Sequence, residues 1–128
     1  MRVILGGAQL GMKYGQTNIT KFSKTNSLEL LETALSLGID TVDLASNYGN
    51  SHEIIKEFGA EKLKIHTKIP SLNNASSINN PDDLLDKLKH EIDKIFKETK
   101  AECIDTLYFH DQADIALLED DDFKKVLM

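Results

Sequence analysis

A chain of 128 residues with 41% hydrophobic and 28% charged side chains is long enough for one domain with a core and has the composition of a soluble globular protein. Its net charge of −6 and pI near 5.1 lack the basic face that non-specific binding to nucleic acid or an anionic membrane requires. The single cysteine, Cys103, excludes an intramolecular disulfide and a multi-thiolate metal site, no apolar run approaches the ~18 residues of a membrane span, and a reducing cytoplasm is the default setting.

Val3 to Leu5 reads as a short buried strand that runs into a glycine-rich turn from Gly6 to Gly15. The spacing of those glycines matches neither a phosphate-binding P-loop nor a dinucleotide fingerprint. Asn26, with Glu29 three residues on, predicts the start of a helix whose apolar positions are Leu28, Leu30, Leu31, Ala34, Leu35 and Leu37, closed by Gly38. A strand follows from Ile39 to Leu44, with Thr41 and Asp43 on one face and Val42 and Leu44 on the other.

After Asp43 come a short polar run, Tyr48 and Gly49, and then Asn50 with Glu53, spaced as a capping box for a helix from Ser51 to Phe58 that stops at Gly59. Leu63 to Ile69 predicts a third strand ended by Pro70. A polar loop from Ser71 to Asn80 leads to a helix opening at Pro81, with Asp82 and Asp83 at its positive end. Leu84, Leu85, Leu88, Ile92, Ile95 and Phe96 form its apolar stripe. A fourth strand spans Ile104 to His110, and Glu119 to Asp122 reads as the start of another helix.

Strands alternating with helices imply parallel pairing and right-handed crossovers, hence an α/β domain. Periodicity alone leaves an open sheet and a barrel as alternatives. Strand parity says more about function: Thr41 with Asp43, His66 with Lys68, and Tyr108 with His110 share one face. A sheet buried on both sides reads as unbroken apolar runs, so ionisable groups at the carboxyl ends of strands mark the edge where α/β folds carry their sites.

Asp43, Tyr48, Lys68 and His110 form a constellation suited to carbonyl chemistry. A phenol at its ordinary pKa of ~10 is a poor acid near neutrality, and a neighbouring ammonium favours its ionised form. Lys68 is placed to supply that field, Asp43 to orient Lys68, and His110 to hydrogen-bond a carbonyl oxygen. Asn47 is a further candidate substrate contact. By contrast, His66 reads as interior filling, His90 as a helix-surface residue, Cys103 as a small buried or half-buried hydrophobe, and the Glu119 to Asp122 cluster as solvated rather than metal-binding. No metal site is expected.

These residues resemble the aldo-keto reductase family. The match rests on Leu5-Gly6-Gly7-Ala8-Gln9-Leu10-Gly11, on Asp43-Leu44-Ala45 with Tyr48-Gly49-Asn50-Ser51, on Thr67-Lys68 and on Tyr108-Phe109-His110. The resemblance implies the first four βα units of a (β/α)8 barrel of the TIM type, with a small carbonyl compound reduced by NADP(H). It further implies that Tyr48 protonates the carbonyl oxygen, that Asp43 and Lys68 tune Tyr48, that His110 orients substrate, and that Gly7, Gln9 and Asp43 touch the cofactor.

Three departures qualify this expectation. His52 separates Ser51 from Glu53 where the family motif runs directly into its acid. The hairpin on the barrel floor is absent or very short, and a full barrel needs ~250 residues. The chain is therefore expected to lack the cofactor-binding half, to reduce carbonyls weakly or not at all alone, and to cover its open edges by homodimerising. The competing classes are a Schiff-base aldolase using Lys68 and a non-catalytic reductase-like subunit.

Overall fold

Four parallel strands, β1 (Leu5–Gly6), β2 (Thr41–Asp43), β3 (Lys64–Ile69) and β4 (Thr106–Phe109), lie side by side in chain order in a computed structural model that describes residues 2–15, 20–72, 81–119, 121 and 124. The intervening helices are α1 (Ala8–Gly11), α2 (Lys24–Ser36), α3 (Ser51–Phe58) and α4 (Pro81–Thr99), with 3₁₀ turns at Ala60–Lys62 and Gln112–Glu119. Strand order that follows chain order with every pair parallel is the arrangement of successive βα units in a barrel wall, and among the described residues β1 and β4 are its open edges.

The sheet and helices enclose two apolar clusters. Val42, Leu44 and Ile65 meet Leu31 of α2 and Ile54, Ile55 and Phe58 of α3, while Ile69 and Leu72 meet Leu84, Leu88 and Ile95 of α4. Each fully buried side chain of this size contributes about 1.5–3 kcal/mol. The β3 pattern is the predicted one, with Ile65, Thr67 and Ile69 buried and Lys64, His66 and Lys68 on the more open face.

Several local expectations change. The glycine-rich turn contains α1, one helical turn that buries Ala8, Leu10 and Gly11. Helix α2 begins earlier than Asn26, because the Ser23 hydroxyl accepts from the Asn26 amide at 3.1 Å and serves as the cap. Leu37 lies past the end of α2 and is 73% exposed, whereas Gly38 takes the left-handed conformation that ends the helix, with φ +78°. The Asn50 and Glu53 capping box does not form; Asn50 makes no side-chain cap bond and instead accepts from Lys21. Cys103 is exposed rather than buried, since it lies in the turn before β4.

The expected helix at Glu119 to Asp122 is preceded by the 3₁₀ turn Gln112–Glu119, and its continuation falls largely outside the described residues. Most of the Ser71 to Asn80 loop does as well. At the entry to β3, Asp40 pairs with Lys64 and accepts from Thr41, and these contacts, the lysine's first, hold its carboxyl below the usual carboxylate range.

Candidate active site

The register of the sheet sets Asp43 beside Gly6 on one strand and His66 on the other, while Lys68 pairs with Tyr108. Pairing between β2 and β3 continues past the strand end: the Leu44 amide donates to the His66 carbonyl at 2.8 Å and the Ser46 amide to the Lys68 carbonyl at 3.0 Å. Lys68 is thereby held beside the turn that carries Tyr48. Its ammonium donates to both Asp43 oxygens at 2.7 and 2.8 Å and to the Leu44 carbonyl at 3.0 Å. With side chains only 21% and 37% exposed, the Lys68–Asp43 pair is partly shielded from water, which strengthens it beyond an ordinary surface pair.

The same ammonium stands 5.4 Å from the centroid of the Tyr48 ring and 5.8 Å from that of Tyr108. Both distances are within cation–π range. Tyr48 meets His110 edge to face, with centroids 6.4 Å apart and an interplanar angle of 81°. The Asn47 amide nitrogen is 3.3 Å from His110 Nε2, so in this arrangement Nε2 accepts and the ring proton is on Nδ1. The four residues singled out from the sequence therefore converge on one rim, with Asn47 beside them. A cavity of about 490 Å³ opens on the inner face, lined among others by Gly6, Asp43, His66, Lys68, Tyr108 and His110.

The two remaining candidate cofactor contacts are engaged within the fold. The Gly7 amide donates to the Asp43 carbonyl at 2.8 Å, and a Cβ at Gly7 would come within 2.9 Å of that oxygen. Gln9 donates its side-chain amide to the Tyr14 carbonyl at 3.1 Å. Gly7 thus brings the first loop against the carboxylate strand, and of Gly7, Gln9 and Asp43 the last is the one that lines the cavity.

Sequence reasoning passed over three supports of this rim. Gly11 and Gly49 touch backbone to backbone: a Cβ on Gly11 would strike the Tyr48 carbonyl, and one on Gly49 would strike the Gly11 carbonyl. Asp114, fully buried, accepts from the Leu72 amide at 3.1 Å and anchors the segment after His110 to the exit of β3.

His52 is the third. Only 3% exposed, it places Nδ1 2.9 Å from Glu98 on α4 and Nε2 3.1 Å from the Thr67 hydroxyl, next to Lys68. With Nδ1 donating to the carboxylate, a neutral ring accepts at Nε2 from Thr67. The signal for His52 was present, because it lies three residues before Ile55 on the inward face of α3. The signals for the other two were not, because each depends on a contact between distant segments.

The profile of the Aldo/keto reductase family matches residues 2–117. Among solved structures, PA4992 from Pseudomonas aeruginosa, a presumed aldo-keto reductase, superposes with a TM-score of 0.72 at 22% identity over 97% of this chain and 48% of its own. The thermostable aldo-keto reductase Tm1743, crystallised with the inhibitor epalrestat, superposes with a TM-score of 0.59 at 24% identity over 84% of this chain and 37% of its own. No curated protein matches. This chain spans about half the length of the solved structures it resembles, and its strands and helices follow the first half of their barrel. The family match over nearly all of the chain and the shared half-barrel fold identify it as a member of the aldo/keto reductase family.

Proposed function

We propose that this chain carries the proton-donating half of an NADP-dependent carbonyl reductase, with Tyr48 as the acid, Lys68 and Asp43 as its electrostatic support and His110 as the carbonyl anchor. The observation that carries this reading is the Lys68 ammonium, fixed by both oxygens of Asp43 while lying over the Tyr48 ring. Negative charge developing on a phenol oxygen is favoured by a nearby cation that cannot move away. A carbonyl oxygen at His110 needs a donor, so it displaces the Asn47 nitrogen and selects the Nε2–H tautomer. A Schiff-base role for Lys68 is disfavoured, because each of its three hydrogens has an acceptor.

NADPH, when bound, supplies the hydride for the carbonyl carbon. The cavity suits a small carbonyl compound together with a neutral nicotinamide ring. Phosphates fit it poorly: Lys68, the ammonium in its lining, is already matched by Asp43. Turnover therefore depends on further residues to complete the dinucleotide site. The chain alone is expected to oxidise NADPH no faster than buffer in an absorbance assay with an aromatic aldehyde. Fused to the second half of the Pseudomonas aeruginosa relative it is expected to turn over, and Tyr48→Phe to lower that rate by ~100-fold or more. An undiminished Tyr48→Phe fusion would remove Tyr48 from the mechanism, and robust turnover by the chain alone would remove the need for a second half.

A second copy is proposed to cover the open edges. A two-fold axis along the strand direction sets β4 of one protomer beside β1 of its partner with all strands parallel, and brings together exposed Val3, Ile4 and Leu107. Light scattering is expected to give a dimer, consistent with an interface of at least ~1,200 Å². A clean monomer at micromolar concentration would count against this assembly.

A further inference from the structure

The cavity holds a second pair of polar side chains to which the preceding reading gives no task. His66 precedes Lys68 by two residues on the same face of β3, and Tyr108 on β4 stands two before His110, whose amide continues the pairing just past the strand end. Same-face neighbours on a strand are ~6.6 Å apart; Tyr108 is level with Lys68 in the register, and His66 lies one such step before Lys68 on β3. The Tyr108 hydroxyl is 3.5 Å from His66 Nδ1, at the outer limit of a hydrogen bond, and the rings are tilted by 55° with centroids 6.2 Å apart.

Neither polar tip has another hydrogen-bond partner among the described residues, and both side chains line the cavity. An imidazole and a phenol with so loose a mutual contact keep donors available for an incoming acceptor.

The charge balance around them specifies that acceptor. Asp43 is the Cα partner of His66, yet both of its carboxylate oxygens are engaged by Lys68, so the two formal charges cancel locally. The other titratable groups in the lining are His66, His110 and Tyr108. The imidazoles can add only positive charge, and all three can donate hydrogen bonds. A carboxylate entering this part of the cavity meets donors and no unmatched anion.

We propose that His66 and Tyr108 form a carboxylate subsite on the inner face, with Tyr108 one same-face step before His110. Taken together with the carbonyl-reductase reading, on which this extension rests, the subsite makes short oxo-acids the substrate class. The carbonyl then sits at Tyr48 and His110 while the acid group is held between His66 and Tyr108. The single step from Tyr108 to His110, ~6.6 Å, is of the order of the reach of such a molecule.

Proton–carbon correlation NMR of the four histidine rings in the full chain tests this, each signal being assigned through its His→Gln variant. Valerate, which has the carboxylate and no carbonyl, is expected to shift the His66 ring. Levulinate is expected to shift both His66 and His110, and methyl propyl ketone His110 alone. His66→Gln is expected to weaken valerate binding ~10-fold or more, and Tyr108→Phe by about 3-fold, as befits hydrogen bonds to a charged group.

An unmoved His66 ring with valerate, or equal valerate affinity in His66→Gln, overturns the subsite. The ketone reports separately on the carbonyl site. Its failure to move His110, alongside a valerate shift at His66, would retain the carboxylate subsite and count against the carbonyl reading.

Discussion

Gly49→Ala is expected to destabilise the chain by about 3 kcal/mol or more and to displace the Tyr48 loop, because two penalties coincide at one position. Gly49 has φ +59°, a left-handed conformation that costs an L-residue ~1–2 kcal/mol. A methyl group there would also strike the Gly11 carbonyl, which is backbone and cannot rotate away. Gly38→Ala separates the two effects. Gly38 has φ +78° with nothing within 4 Å of its would-be Cβ, so only the conformational penalty applies.

Urea denaturation should therefore rank Gly38→Ala as mild, at ~1 kcal/mol, and Gly49→Ala as severe. Gly11→Ala belongs with the severe class, since its Cβ would meet the Tyr48 carbonyl and the Ser51 amide. Equal losses for Gly38→Ala and Gly49→Ala would show that close approach contributes nothing. The functional consequence is specific: the Asn50 amide donates to the Gly11 carbonyl at 3.4 Å, so the same contact that excludes a methyl group holds the tyrosine turn against α1.

His52→Leu is expected to cost about 2–4 kcal/mol although it replaces one buried side chain by another of similar size. The loss comes from Thr67, whose fully buried hydroxyl would have no partner once the imidazole is gone. An unmet buried polar group costs ~1–3 kcal/mol, and the hydrogen bond to Glu98 is lost as well. Thr67→Val in the same chain removes the orphaned hydroxyl, so the double variant should be less destabilised than the sum of the two single ones.

Strict additivity in denaturation experiments would mean that His52 and Thr67 do not act as a pair. Because Thr67 precedes Lys68 and His52 follows Tyr48 by four residues, the link also fixes the lysine strand relative to the tyrosine loop. A loosened link is expected to broaden the Tyr48 ring signals in NMR before it unfolds the chain.

Much of the site was legible because its residues lie at ends of regular elements. Asp43, Lys68 and His110 share a strand face by period-two alternation, and Tyr48 stands a fixed step beyond the first of these. Helix stops at Gly38 and Gly59 were equally readable, since positive φ is a local requirement that glycine satisfies. The Asn26 and Asn50 caps misled because several polar residues compete at each helix start. The geometry of the incoming chain, rather than the spacing to a downstream glutamate, chose Ser23 in one case and left Asn50 to Lys21 in the other.

By itself, the sequence determined the βα alternation, the apolar stripes and the identity of the four rim residues, all of which depend on short-range periodicity and residue chemistry. Only the tertiary structure decided what those residues touch. The parallel register brings Lys68 back onto Asp43, the Gly11–Gly49 contact seats Tyr48, and His52 and Asp114 are committed to partners in distant segments. Such pairings are set by how separate elements pack, and a pattern with a period of two or 3.6 residues contains no information about which element lies opposite.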